Sequence, residues 1–194
     1  MLVERKDANP GGSGGFGQTP LSLAAGNGRE RIVKLLLGRE DVYPDPSDMV
    51  YERTLLAWAA EDGHEGIIKR LLERGDVNPN TPDADYGRAP LSFSAENGYE
   101  GIAKLLLERE DVNPDGSCKS GLTPLALAAW KSHERIVKLV VRRGDFNPYS
   151  SSKSDRTPLS WAAWNGHEGI VKLLLGGDVD SDTPDAHDSR TPLP

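Results

Sequence analysis

The chain has 194 residues, with 23 Lys and Arg against 30 Asp and Glu, and its net charge of −7 is spread along its length. It shows no basic stripe of the kind nucleic-acid readers carry, and no apolar run approaches the ~18 residues of a membrane span. A single cysteine, Cys118, excludes an internal disulfide, and Met1-Leu2-Val3 runs straight into charge, so a reducing compartment, cytoplasm or nucleus, is expected.

Met1 to Pro10 aligns with Leu105 to Pro114, a stretch that reads as the end of a helix followed by a turn, so the chain is expected to begin inside a repeating unit. Gly12-Ser13-Gly14-Gly15-Phe16-Gly17 fits a Gly-x-Gly-x-x-Gly phosphate loop by its letters. Such a loop needs a strand before it and a long helix after it. Here a helix end precedes it and a Thr-Pro cap follows, so a flexible loop is the better reading.

A pattern then starts at Thr19-Pro20-Leu21. It returns at Thr54-Leu55-Leu56, Ala89-Pro90-Leu91, Thr123-Pro124-Leu125, Thr157-Pro158-Leu159 and Thr191-Pro192-Leu193, at spacings of 35, 35, 34, 34 and 34 residues. A fixed period of this size is the mark of a solenoid. Thr caps a helix and Pro follows where its missing N–H does no harm. Ala pairs at Ala24-Ala25, Ala59-Ala60, Ala128-Ala129 and Ala162-Ala163 let a short first helix pack closely, and Gly28, Gly63, Gly98 and Gly166 end it. The second helix is expected to bury a stripe such as Ile32, Val33, Leu35 and Leu36. Arg70 would interrupt that stripe and Ala89 removes a cap, so the second and third units are expected to be weaker. Glu30, Glu65, Glu100, Glu134 and Glu168 each precede a Lys by four residues, a helix-supporting spacing.

From each triplet to the next Asp of Asp-Val-Asn the count is 21 or 22, and from that Asp to the following triplet it is 12 or 13. The second stretch is rich in Pro, Asp, Ser and Gly, so turn chemistry governs it.

These units resemble ankyrin repeats, whose signature is Thr-Pro-Leu-His-x-Ala ahead of a helix pair and a β-turn finger; the dialect is similar to highly self-similar fungal arrays. The resemblance implies an all-α, ankyrin-repeat α-solenoid with helix pairs and hairpin-like finger loops. It makes residues 1–194 a single repeat domain: a partial repeat at 1–18, repeats at 19–53, 54–88, 89–122, 123–156 and 157–190, and the start of another at 191–194. The family's His after Leu is Ser22, Ala57, Ser92, Ala126 or Ser160 here, so its hydrogen bonds are expected to be absent or shortened. The chain stops at Leu193-Pro194 with no polar capping unit, which suggests a segment of a longer array, fraying and self-associating when isolated.

Chemistry-bearing residues do not converge. His64, His133 and His167 share one slot in separate units, so no metal site is expected, and no cofactor or enzyme activity either. Cys118 reads as an ordinary exposed thiol in a finger. Trp58, Phe93 and Trp161 fill the slot before the Ala pair, where Leu23 and Leu127 also stand, and are read as packing between helices. Two other slots vary in chemistry: Gly26, Glu61, Glu96, Trp130 and Trp164, and beside them Asn27, Asp62, Asn97, Lys131 and Asn165. In the resembled family this is the concave, partner-binding surface. Trp130 and Trp164 are its expected anchors, standing side by side, with Lys131, Asn165, Glu61, Asp62, Glu96 and Asn97 around them. Tyr51, Tyr86 and Lys119 are added from the fingers, while Arg53, Arg88 and Arg156 are either structural or part of that surface. The implied function is a protein-interaction scaffold, with no nucleic acid, membrane or metal as partner. The alternative is the sensor or regulatory segment of a larger signalling protein or enzyme.

Overall fold

The computed structural model describes residues 18–39, 42 and 53–176. The expectations for residues 1–10, the glycine run at 12–17, Tyr51 and the triplet at 191–193 lie outside the described residues. Among the described residues there are ten α-helices and no strand. They come in pairs: α1 (Pro20–Gly26) with α2 (Glu30–Leu37), α3 (Leu55–Glu61) with α4 (Glu65–Leu72), and α5 (Pro90–Asn97) with α6 (Glu100–Leu107). The last two pairs are α7 (Pro124–Trp130) with α8 (Glu134–Arg143), and α9 (Pro158–Trp164) with α10 (Glu168–Leu174).

The triplet starts each first helix as its chemistry dictates. Thr54, Thr123 and Thr157 each accept the backbone N–H three residues on, at 3.2 Å. At Thr19 the cap is reciprocal: Ser22 donates its N–H to Thr19 at 3.1 Å, and the Ser22 hydroxyl accepts the Thr19 N–H at 2.9 Å. Ala89 supplies no cap, as its side chain requires.

First helices pack in one row (α1, α3, α5, α7, α9), second helices in another, and each pair closes between the rows. Small residues permit the first row: Ala25, Ala59, Ala60, Ala95, Ala128, Ala129 and Ala162 are all at 0% exposure. Ala163 departs from the expected pair and is exposed.

The stripe of the second helices is narrower than expected. Ile67, Ile68 and Leu71 in α4, Ile102, Ala103 and Leu106 in α6, and Ile136, Val137 and Val140 in α8 are buried. The position three after the first of each set is less buried: Leu105 and Leu139 are half-buried against the core, and in α2 it is open. Leu35 is 74% exposed there, Ile32 is 48% exposed, and Val33 with Leu37 carries the burial in α2. Arg70 stands at that position and is exposed, where Leu105 and Leu139 pack against the core.

The expected Glu–Lys pairs close in two helices, Glu134–Lys138 at 3.2 Å and Glu168–Lys172 at 2.6 Å. Elsewhere the first-turn Glu leans across to the next unit. A methyl group on Gly66 or Gly101 would overlap the Glu30 or Glu65 carboxylate, and Glu100 pairs with Arg135 at 3.2 Å. A second set of ties crosses the unit boundaries through arginines. Arg109 grips Asp111 with two N–H groups, at 2.8 and 2.6 Å, and donates a third hydrogen bond to the Leu72 carbonyl at 3.0 Å. Arg74 does the same with Asp76 and Leu37, satisfying a carbonyl that the end of α2 leaves open.

Candidate functional site

The fingers adjoin the first-helix row, since Arg53, Arg88 and Arg156 reach rings on α3, α5 and α9. Each described finger is a tight turn closed by its own backbone: Asp83 donates to the Arg88 carbonyl, Cys118 to Leu122 and Ser152 to Arg156, each at 3.0 Å. Neighbouring fingers are joined as well, since the Lys119 N–H donates to Tyr86 at 2.7 Å and the Lys153 N–H to Ser120 at 2.9 Å. This folding back corrects the reading of Cys118. The thiol is 6% exposed, with its sulfur 3.0 Å from the Ser120 hydroxyl.

The three arginines ahead of the triplets lie over the aromatic slot. Arg53 stands 4.8 Å from the Trp58 ring and 5.1 Å from Phe93. Arg88 stands 4.7 Å from Tyr86 and 5.9 Å from Phe93. Arg156 stands 4.8 Å from Trp161 and 3.9 Å from Trp164. Flat guanidinium groups stack on aromatic faces in this way. The sequence carries the same rule: where the aromatic slot is Leu23 or Leu127, the slot ahead of the triplet is Gln18 or Leu122. Phe93 is buried at 1% exposure, whereas Trp58 and Trp161 are half-buried.

The candidate residues separate by what they touch. Glu61 pairs with Arg53, and Glu96 with Arg88 at 2.8 Å, so both carboxylates are already engaged. Burial pushes the Glu61 carboxyl up, against the opposing pull of the Arg53 guanidinium. Asp62, Asn97, Lys131 and Asn165 are exposed. The Asn97 amide donates to the Glu61 carbonyl across the unit boundary at 3.1 Å, and the Asn165 amide donates to Trp161 at 2.8 Å. Tyr86 is 52% exposed, and Lys119 is exposed with its ammonium on the Ala84 carbonyl. Tyr51 lies outside the described residues.

The two expected anchors differ. Trp164 is 69% exposed, while Trp130 is half-buried with its ring centroid 5.3 Å from Trp161. The ring against Trp130 is therefore Trp161 of the next unit. Lys131 lies 4.4 Å from the other indole, giving a chain of side chains: Lys131, Trp130, Trp161, Arg156, Trp164. At the opposite end an open groove of about 240 Å³ between α1 and α3 is lined by Leu23, Gly26, Trp58 and Asp62, among others.

The histidines act between units. His64 donates from Nε2 to the Gly26 carbonyl at 3.0 Å, His133 to Glu96 at 3.0 Å and His167 to Trp130 at 3.2 Å. Among the described residues no three His, Cys, Asp or Glu side chains gather as metal ligands, and no helix is long and apolar enough to cross a membrane.

No curated protein matches the chain. A family model of three tandem ankyrin repeats matches residues 1–83, 56–150 and 91–185. Together with the paired helices, the Thr-Pro caps and the stacked fingers, that match means the chain belongs to the ankyrin-repeat family.

Proposed function

We propose that the chain binds another protein through its first-helix face and finger tips, with Trp164 as the principal anchor. Ankyrin repeats are generally protein–protein interaction modules, and that general role is the starting point. The observation that carries the finer reading is the exposure of Trp164, 69%, at the end of a cation–aromatic chain that holds it in place. A large exposed indole with a fixed orientation is the kind of residue that dominates an interface, because it contributes area with little ordering cost. Lys131, Asn165, Asp62 and Asn97 supply polar groups beside and along the face, and Tyr86 and Lys119 extend it onto the fingers. Glu61 and Glu96 hold arginines and serve the surface indirectly.

The test is selection of short peptides from a displayed random library on the full chain, followed by titration against variants. Trp164→Ala should weaken the selected peptides by about 2 kcal/mol or more, roughly thirtyfold in Kd, with helicity unchanged. Selected peptides that bind Trp164→Ala as tightly as the parent would place the docking surface elsewhere.

A further inference from the structure

Two units share one arrangement, and a third keeps only part of it. In the second and third units the Arg ahead of the triplet lies over an aromatic ring five positions on and pairs with a Glu eight positions on. Arg53 has Trp58 and Glu61; Arg88 has Phe93 and Glu96, the latter pair at 2.8 Å. The fifth unit keeps the Arg and the ring, Arg156 and Trp161, but carries Trp164 where the others carry Glu. Arg156 therefore lies between two indoles. Among the described residues its guanidinium has no ion pair and donates no hydrogen bond, and Lys131 on the Trp130 ring has no carboxylate either. Two cations and three tryptophans form one patch, and among the described residues no acid pairs with either cation.

We propose that this patch receives an acidic segment of a partner protein. A Glu or Asp side chain of that segment takes on Arg156 the place that Glu61 and Glu96 take on their own arginines. An apolar side chain next to it covers the open face of Trp164. The inference rests on the reading of the first-helix face as the docking surface and names the chemistry that the face selects. A guanidinium stacked between rings has already lost its rotational freedom, and its planar edge matches a carboxylate with two parallel hydrogen bonds. The chain's overall charge of −7 sharpens this choice, because an acidic segment is repelled over most of the molecule and accepted here. The position corresponding to Asp83, which faces Arg53 at 3.6 Å, is Asp185 at the end of the fifth unit and lies outside the described residues, so it enters the test directly.

Peptides selected on the full chain are made as pairs differing by one Glu→Gln change and titrated calorimetrically at low and high salt. The expected peptides carry an acidic residue beside an aromatic or aliphatic one, the Glu form binds about tenfold or more tighter than the Gln form, and added salt narrows the gap. Arg156→Gln should erase the Glu preference. Trp164→Glu should erase it too, by giving Arg156 the internal carboxylate that the array already accommodates in two other units. Trp164→Gln should weaken both peptides yet keep the preference, which separates loss of the charge from loss of the ring. Asp185→Asn should leave the affinities within about twofold; a gain of tenfold would mean that the chain fills this place itself, and the inference falls. Peptides that need Trp164 but bind equally as Glu and Gln would sink the acidic partner while leaving the docking surface intact. Peptides indifferent to Trp164 would remove both.

Discussion

Gly98 and His133 occupy the same seam from opposite sides: a methyl group on Gly98 would stand 2.5 Å from Cε1 of His133, and Gly98 itself has φ of 78°. The glycine is therefore required twice, by its backbone and by the imidazole that packs on it and donates to Glu96. Gly98→Ala should cost about 1–2 kcal/mol for the left-handed backbone and a further loss for displacing His133. Gly144, at φ of 82° with nothing within 4 Å, gives the backbone contribution alone. Urea unfolding of both alanine variants checks this, and equal losses would mean that the histidine contact contributes nothing.

Ser132 sits at the corresponding turn of the next unit with φ of 67°. A Cβ is strained there, so Ser132→Gly should raise stability by about 0.5–1 kcal/mol despite the extra freedom glycine has when unfolded. A lower thermal midpoint for this variant would contradict the assignment.

The arginine ties predict a pH dependence. Hydrogen bonds from Arg74 and Arg109 hold the Asp76 and Asp111 carboxyls below their ordinary 3.8. A carboxyl depressed in the folded state takes up protons more readily when the chain unfolds. Its contribution is therefore present above the unfolded value and fades as pH falls through the depressed one. The Asp76→Asn, Asp111→Asn double variant should be less stable than the parent at about pH 6, and the gap should shrink as the pH falls from 3.8 through the depressed values. Denaturation midpoints measured across that interval decide; a constant gap would assign the loss to something other than the carboxylate charge.

Trp130 and Trp164 should behave differently as alanine variants. Trp164→Ala should leave stability within about 0.5 kcal/mol, as for an exposed surface change. Trp130→Ala and Trp161→Ala should each lose about 1–3 kcal/mol, short of the 3–5 of a fully buried ring, because both are half-buried against one another. The same reduced figure applies to Trp58→Ala. A marked early melt of Trp164→Ala would show that the indole packs as core.

Much of this was legible because the period fixes position and the Thr-Pro caps fix helix starts. The Arg–aromatic pairing was legible too, in the way Arg53, Arg88 and Arg156 accompany Trp58, Phe93 and Trp161 while Gln18 and Leu122 accompany leucines. Other features escaped because their partners lie a whole unit away. Glu30 and Glu65 suit a lysine four residues on equally well, and only the neighbouring helix, with Gly66 or Gly101 in the way, shows where they go. Arg74 and Arg109 bind carbonyls, which carry no side-chain signature. Leu35 resembles every other leucine of its stripe, yet the helix turns it to solvent. Trp130 reads from the sequence as an anchor beside Trp164, and its contact with Trp161 arises only once consecutive units are stacked.

The seam between Gly98 and His133 has a consequence for how such a chain can grow. The second unit shows both halves: its turn glycine, Gly63, is a socket that receives Tyr99 of the unit after it, and its His64 is a plug that packs on Gly28 of the unit before it. A duplicated unit would arrive with both halves and recreate the joint wherever it was inserted. Lengthening then requires no new solution for the interior, whereas losing either half of the fit would be felt by the adjoining copy and not by its own.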